Sequence, residues 1–249
     1  MKRIAFISIL MVFSCRCAFS QGRVINHNND LWYLLHGDYS LSSKWGIDSE
    51  LHLRLADWGH EKQQILIRPS VYYKLNSSLY LFAGYTHIES YPYGDQPIVA
   101  RTPENNFWIQ ALVKHSVGRL GVSHRYRFEE RWTGIISTLS NQNEISGYSH
   151  KNRLRYRLTL KAPITPDSPW YFQVFDEVWV NFGENTQLNI FDQNWLYTGF
   201  GKNLNNLLAL ELAYQWQILN KADGIHQESN DTIQLTLHYK FDSTKNRNG

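Results

Sequence analysis

The sequence predicts an all-β fold: a closed antiparallel up-and-down transmembrane β-barrel of about 12 strands, with about 10 the next most compatible count. Three observations carry that reading. Apolar and polar residues alternate over many short segments, helical spacing is absent, and short turns alternate with longer polar loops along the chain.

The N-terminus comes first. Lys2 and Arg3 precede an apolar run from Ile4 to Phe13, and Ala18-Phe19-Ser20 places small residues where a signal peptidase needs them. This is the pattern of a secretory signal peptide over residues 1–20, cleaved after Ser20, and its apolar run is too short to span a bilayer as a helix. A lipoprotein signal at Cys15 is the rival reading, and Phe13, Arg16 and Cys17 fit it poorly. The leader carries both cysteines, Cys15 and Cys17, and three basic residues, Lys2, Arg3 and Arg16. Without it the 25 basic residues become 22 against 22 acidic ones, so the formal charge of +3 belongs to the precursor. A neutral mature chain gives no reason to expect a nucleic-acid partner. Residues 21–241 are expected to form one barrel domain and residues 242–249 a polar tail.

The strands follow in order. Trp45 to Asp57 alternates most cleanly, with Ile47, Ser49, Leu51, Leu53 and Leu55 on one face and Asp48, Glu50, His52 and Arg54 on the other. Gln63 to Leu75 repeats the pattern around Pro69, where a missing N–H predicts a bulge. Further strands are expected near residues 31–41, 79–88, 107–117, 120–132, 152–162, 170–182, 192–201, 207–219 and 232–241, about eleven in all. Bacterial single-chain barrels close with an even number, so either Arg23 to Asn29 supplies a weak twelfth strand, the favoured count, or one of the eleven is not a separate strand, which would leave ten. Connections such as Asn76-Ser77-Ser78 and Gly118-Arg119 are short, whereas Glu89 to Asn106, Thr133 to Lys151 and Asn220 to Asp231 are long. That asymmetry puts the short turns in the periplasm of an outer-membrane barrel. Most tryptophans, among them Trp32, Trp58, Trp108, Trp179 and Trp195, fall toward the long-loop rim, where a membrane boundary would hold them. Partners expected are outer-membrane lipid and, during biogenesis, the barrel-assembly machinery.

One charged hairpin organises the candidate site. In His124 to Arg131, Arg125, Arg127, Glu129 and Arg131 share a face opposite Tyr126 and Phe128. In Asn152 to Lys161, Arg153, Arg155 and Arg157 share a face opposite Leu154, Tyr156 and Leu158. A closed sheet with charges inside and apolar residues outside satisfies both. Buried charge must be paired, so Glu50, Arg54 and Glu177 are expected to complete a luminal ladder. Such a ladder either plugs the barrel as a salt-bridged network or lines a small pore that favours anions.

Phe175-Asp176-Glu177 and Phe191-Asp192-Gln193-Asn194 invite a catalytic reading through paired carboxylates, with Asp176, Glu177, Asp192 and Asn194 as the candidate groups. Alternation from Trp170, Phe172 and Val174 aims Asp176 outward, so a bulge or a protein contact is expected there. Asp192 and Asn194 are expected near the rim. No HExxH, GxSxG or phosphate loop is present, so no catalytic residue, metal or cofactor is assigned.

Two stretches, Phe175-Asp176-Glu177-Val178-Trp179-Val180-Asn181-Phe182-Gly183 and Phe191-Asp192-Gln193-Asn194-Trp195-Leu196-Tyr197-Thr198-Gly199-Phe200-Gly201, resemble the bacterial family catalogued as domain of unknown function 2490. The two arginine strands and Leu210 to Tyr214 are similar to it as well. The resemblance implies a secreted or outer-membrane barrel and no particular reaction. The function expected is therefore a non-enzymatic outer-membrane barrel, either a small anion-favouring channel or a structural or interaction barrel. The alternatives are an envelope-modifying enzyme and a soluble periplasmic calyx with Leu51, Leu53, Leu154 and Leu158 around an apolar ligand.

Overall fold

The structure, a computed structural model, describes residues 23–95, 98–139 and 142–243; the expected signal peptide and residues 244–249 of the expected tail lie outside them. Eleven strands follow one another: β1 (Val24–Ser40), β2 (Trp45–Ala56), β3 (Glu61–Lys74), β4 (Leu79–Ser90), β5 (Thr102–Val117), β6 (Leu120–Leu139), β7 (Gln142–Pro163), β8 (Trp170–Phe182), β9 (Phe191–Asn203), β10 (Leu208–Asn220) and β11 (His226–Asp242). Each pairs with the next, and β1 closes the barrel against β11. The expected fold, a closed up-and-down barrel, is the fold found.

The parity argument for a twelfth strand is corrected. Arg23 to Asn29 forms no strand of its own, because Val24 to Asn29 is the first part of β1. An odd count brings the first and last strands together pointing the same way, and β1 pairs with β11 in parallel, from Val24 opposite His226 to Ser40 opposite Asp242. Parallel ladders are only slightly less stable per residue than antiparallel ones, so seventeen paired positions close the wall.

Alternation sets the two faces. Leu51, Leu53, Leu154, Leu196 and Leu212 are exposed on the outside, while Arg54, Arg127, Arg153, Arg155 and Glu177 are buried within. The calyx reading needed Leu51, Leu53 and Leu154 to face inward, and they do not. Inward glycines make room for large rings on the neighbouring strand: Gly46 lies opposite Tyr72, Gly84 opposite Trp108 and Gly201 opposite Tyr171. A Cβ at any of these three would collide with the facing ring.

Pro69 causes no bulge. The register of β3 is the same on both sides of it, with Ile67 opposite His87 and Ser70 opposite Gly84, and the ring points outward. Three irregularities lie elsewhere: Ser146 is an extra residue opposite Ile135 and Ile136 in the β6–β7 ladder, and the other two lie lower in the wall. Gln63 is an extra residue opposite Arg54 and Leu55, and Asp192 is an extra residue opposite Trp179 and Val180. A bulge re-aims a side chain, and both of these are buried.

Residues Thr133 to Lys151, expected as a loop, mostly continue β6 and β7. Beyond Thr133 the hairpin pairs only with itself, because β5 ends its pairing at Glu104 and β8 at Phe182. Polar residues concealed it, since a hairpin standing clear of the wall has no apolar core to face. Residues 91–95 turn back over the barrel mouth instead: the Tyr93 hydroxyl donates to Glu228 at 2.8 Å, and Gly94 N–H donates to Glu61 at 3.1 Å. Burial and the adjacent Glu228 carboxylate push the Tyr93 hydroxyl well above its usual range, which keeps it a donor.

Candidate functional site

Strand register places like charges opposite one another. Arg125 faces Arg157 and Arg127 faces Arg155, while Glu129 faces Arg153. Facing arginines repel, so acids from adjacent positions must intervene. Glu177, opposite Arg157 on β8 and fully buried, takes three of them. It accepts from Arg155 Nε at 2.9 Å, from Arg157 Nη2 at 2.6 Å and from Arg125 Nη2. Glu129 accepts from Arg155 Nη1 at 2.9 Å and from Arg153 Nε at 2.7 Å, with Arg127 at 3.8 Å.

The network continues upward. Arg153 Nη1 donates to Asp192 at 3.2 Å, Arg131 lies 3.9 Å from the same carboxylate, and Arg131 grips Glu104 through two bonds of 2.9 and 2.7 Å. Glu50 accepts from Arg68 at 2.5 Å and pairs with His52 at 2.8 Å. Aromatic faces occupy the gaps. The Arg155 guanidinium sits 3.7 Å from the Trp179 ring centre, Arg157 is 3.8 Å from Phe175, and Arg127 is 4.0 Å from Trp108. Arginine is suited to this arrangement because its planar cation can stack and donate at once.

Two cavities flank the waist. One of about 80 Å³ reaches the long-loop side and is lined by Tyr93, Glu104 and Asn230 among others. Another of about 210 Å³ reaches the short-turn side and is lined by His36, Gln173 and His238 among others. Trp32, Arg54, Arg68 and Trp195 border both. The Trp32 and Trp195 rings pack edge to face at 5.6 Å, and Trp195 lies 4.5 Å from Trp179.

The structure thus brings Glu50, Arg54, Arg125, Arg127, Glu129, Arg153, Arg155, Arg157 and Glu177 into one lumen. Asp192, at the long-loop end of β9, belongs there too, because its bulge turns it inward. Asp176 faces outward with no bulge beside it; Asn194, also outward, donates to it at 2.6 Å. Asp176 and Glu177 are therefore separated by the wall and form no catalytic pair. Arg131 lies on the charged face expected for it, whereas Arg68 and Glu104 were not among the expected ladder, although each alternates with an outward neighbour and parity could have found them. Trp32, Trp108, Trp179 and Trp195 turn into the lumen, whereas Trp45, Trp58, Trp170 and Trp216 are exposed outside. Height along a strand says nothing about face, and only parity does.

Sequence comparison places this barrel among known chains, with a match spanning residues 29–229. The chain belongs to the family described as protein of unknown function (DUF2490). Every luminal acid and arginine named above falls within the DUF2490 match. An uncharacterised protein of Methylorubrum extorquens is 27% identical over 122 residues, covering 48% of this chain and 46% of that protein. The chain spans about half the length of that curated relative. Among solved structures, the NanC porin is similar at a TM-score of 0.46 and 10% identity, over 80% of this chain and 90% of that one. The beta domain of the Bordetella autotransporter BrkA is similar at 0.43 and 13%, over 72% and 79%.

Proposed function

We propose that this DUF2490 protein is a non-enzymatic outer-membrane barrel whose lumen is plugged at the waist by its own side chains, serving as a structural or interaction barrel. The observation that carries this reading is Glu177, with no solvent exposure, held by three arginines between the two cavities. A standing water path would hydrate that carboxylate. Membrane insertion is supported by the apolar outer face and by aromatic pairs at the short-turn rim, where Trp45 meets Tyr73 at 4.9 Å and Trp170 meets Phe200 at 5.0 Å. The β6–β7 hairpin, standing clear of the wall, supports an interaction role at the opposite mouth.

The anion channel is the second reading, favoured by the five arginines that line the short-turn cavity against two glutamates and by cavities on both sides of the waist. Conductance of the folded, inserted protein in a planar bilayer under a salt gradient separates them. Silence is expected from the native protein, and conduction from Trp195→Ala, which removes a ring bordering both cavities. Steady anion-selective conductance in the native protein, reversed when Arg153, Arg155 and Arg157 become glutamate, would overturn the plug.

A further inference from the structure

Below the waist the inner wall is divided by charge. From β3 to β7 no inward position between the waist and the short turns carries an acid, whereas Lys74, Lys114, Arg125, Arg157 and Lys161 all point inward there. The acids of this end, Asp38, Asp48, Glu211 and Asp242, stand on β1, β2, β10 and β11. The first three are held by Tyr72, His36 and Tyr197.

Register gathers the cationic side around one hydroxyl. Ser123 lies between Lys114 on β5 and Thr159 on β7. One inward step above it Arg125 faces Arg157, and one inward step below it Lys161 faces Gly121, which offers no side chain. Neighbouring strands are about 5 Å apart and successive inward positions about 7 Å, so the long side chains of Lys114, Arg125 and Lys161 reach the space in front of Ser123. Neither lysine has an ion pair among the described residues, and the Ser123 and Thr159 hydroxyls have no hydrogen bond there. The Arg125 Nε–H is buried and unpartnered. Lys161 feels the repulsion of Lys114 and Lys240 and, from β10, the attraction of Glu211. Both ammonium groups are exposed to the mouth and rest on rings, Lys114 4.5 Å from Tyr80 and Lys161 3.5 Å from Tyr171, contacts that leave N–H groups free to donate.

We infer that this wall binds a phosphate group, free or on a small soluble monoester, with Lys114, Lys161 and the Ser123 and Thr159 hydroxyls as its donors and Arg125 Nε above them. Donors on three strands suit an anion whose oxygens point in several directions, and charge-assisted bonds to such oxygens are the strong ones. Lipid headgroups are not the source, because these side chains face the lumen. In the orientation proposed above the site opens to the periplasm, and it holds whether or not ions cross the waist.

Phosphorus NMR titration of the full folded barrel in a maltoside detergent with inorganic phosphate, at constant ionic strength in chloride, tests it. Saturable one-to-one binding is expected, and nitrate should not compete. Lys114→Gln should weaken it about tenfold or more, a charge-assisted bond being worth that much. Lys114 is exposed, so this variant spares the fold. Ser123→Asp, which sets a negative charge at the centre of the patch, should weaken it further. Lys202→Gln, whose ammonium lies outside the barrel 4.7 Å from Trp170, should leave it unchanged. No saturable binding, binding unchanged in Lys114→Gln, or an equal loss in Lys202→Gln would overturn the site. Displacement of phosphate by phosphatidylglycerol added to the micelle would overturn it in favour of a lipid headgroup.

Discussion

Arg155 and Glu177 meet across β7 and β8 with Nε 2.9 Å from Oε1, and almost nothing of either side chain touches solvent. Charges so buried are tolerated only as a set, and removing one leaves its partners uncompensated. Glu177→Gln should therefore destabilise the barrel by about 3–5 kcal/mol, since three arginines share that carboxylate. Urea unfolding followed by tryptophan fluorescence measures it, with Glu130→Gln, on the exposed outer face, as the variant expected to be silent.

Gly84 is opposite Trp108 on the inner wall, and a Cβ there would overlap the indole. Trp108 is also held by a 3.0 Å bond from Nε1 to Thr86 and by the stacked Arg127, so it cannot step aside. Gly84→Ala should cost about 1–3 kcal/mol by overpacking. The companion change Gly121→Ala, whose nearest neighbour lies at 3.4 Å, should be well tolerated in the same unfolding assay.

Asp176 sits on the outer face with Asn194 as its hydrogen-bond partner. An acid facing acyl chains is unfavourable, though less so than a cation. Asp176→Leu should raise stability in lipid vesicles by about 1 kcal/mol and have no such effect in urea-solubilised chain. A loss of stability in vesicles would mean that protein, not lipid, covers that face.

The β10–β11 turn carries a pH signature. Asp223 accepts from Ile225 and His226 backbone N–H, both at 2.9 Å, and pairs with the His226 ring at 2.6 Å. The His226 backbone bond, then its ring, depress the carboxyl from 3.8 to about 2. A depressed carboxyl stabilises its turn fully above its unfolded value, and that contribution fades as pH falls from 3.8 through about 2. The amide resonances of Ile225 and His226 should shift with a midpoint near 2, and Asp223→Asn should abolish the titration.

Alternation by itself determined the faces, because a strand admits only two directions for a side chain. From that followed the barrel, the apolar exterior and a lumen holding Arg125, Arg127, Glu129, Arg153, Arg155, Arg157 and Glu177. Which acid meets which arginine was not legible. It depends on register between strands far apart in sequence, such as Arg125 with Glu177 and Arg68 with Glu50. Bulges were invisible for the same reason: one extra residue at Asp192 or Gln63 reverses parity locally, and only the partner strand reveals the extra residue. The strand count was decided last of all, by closure, since local sequence specifies strands and only the assembled sheet specifies that β1 and β11 become parallel neighbours.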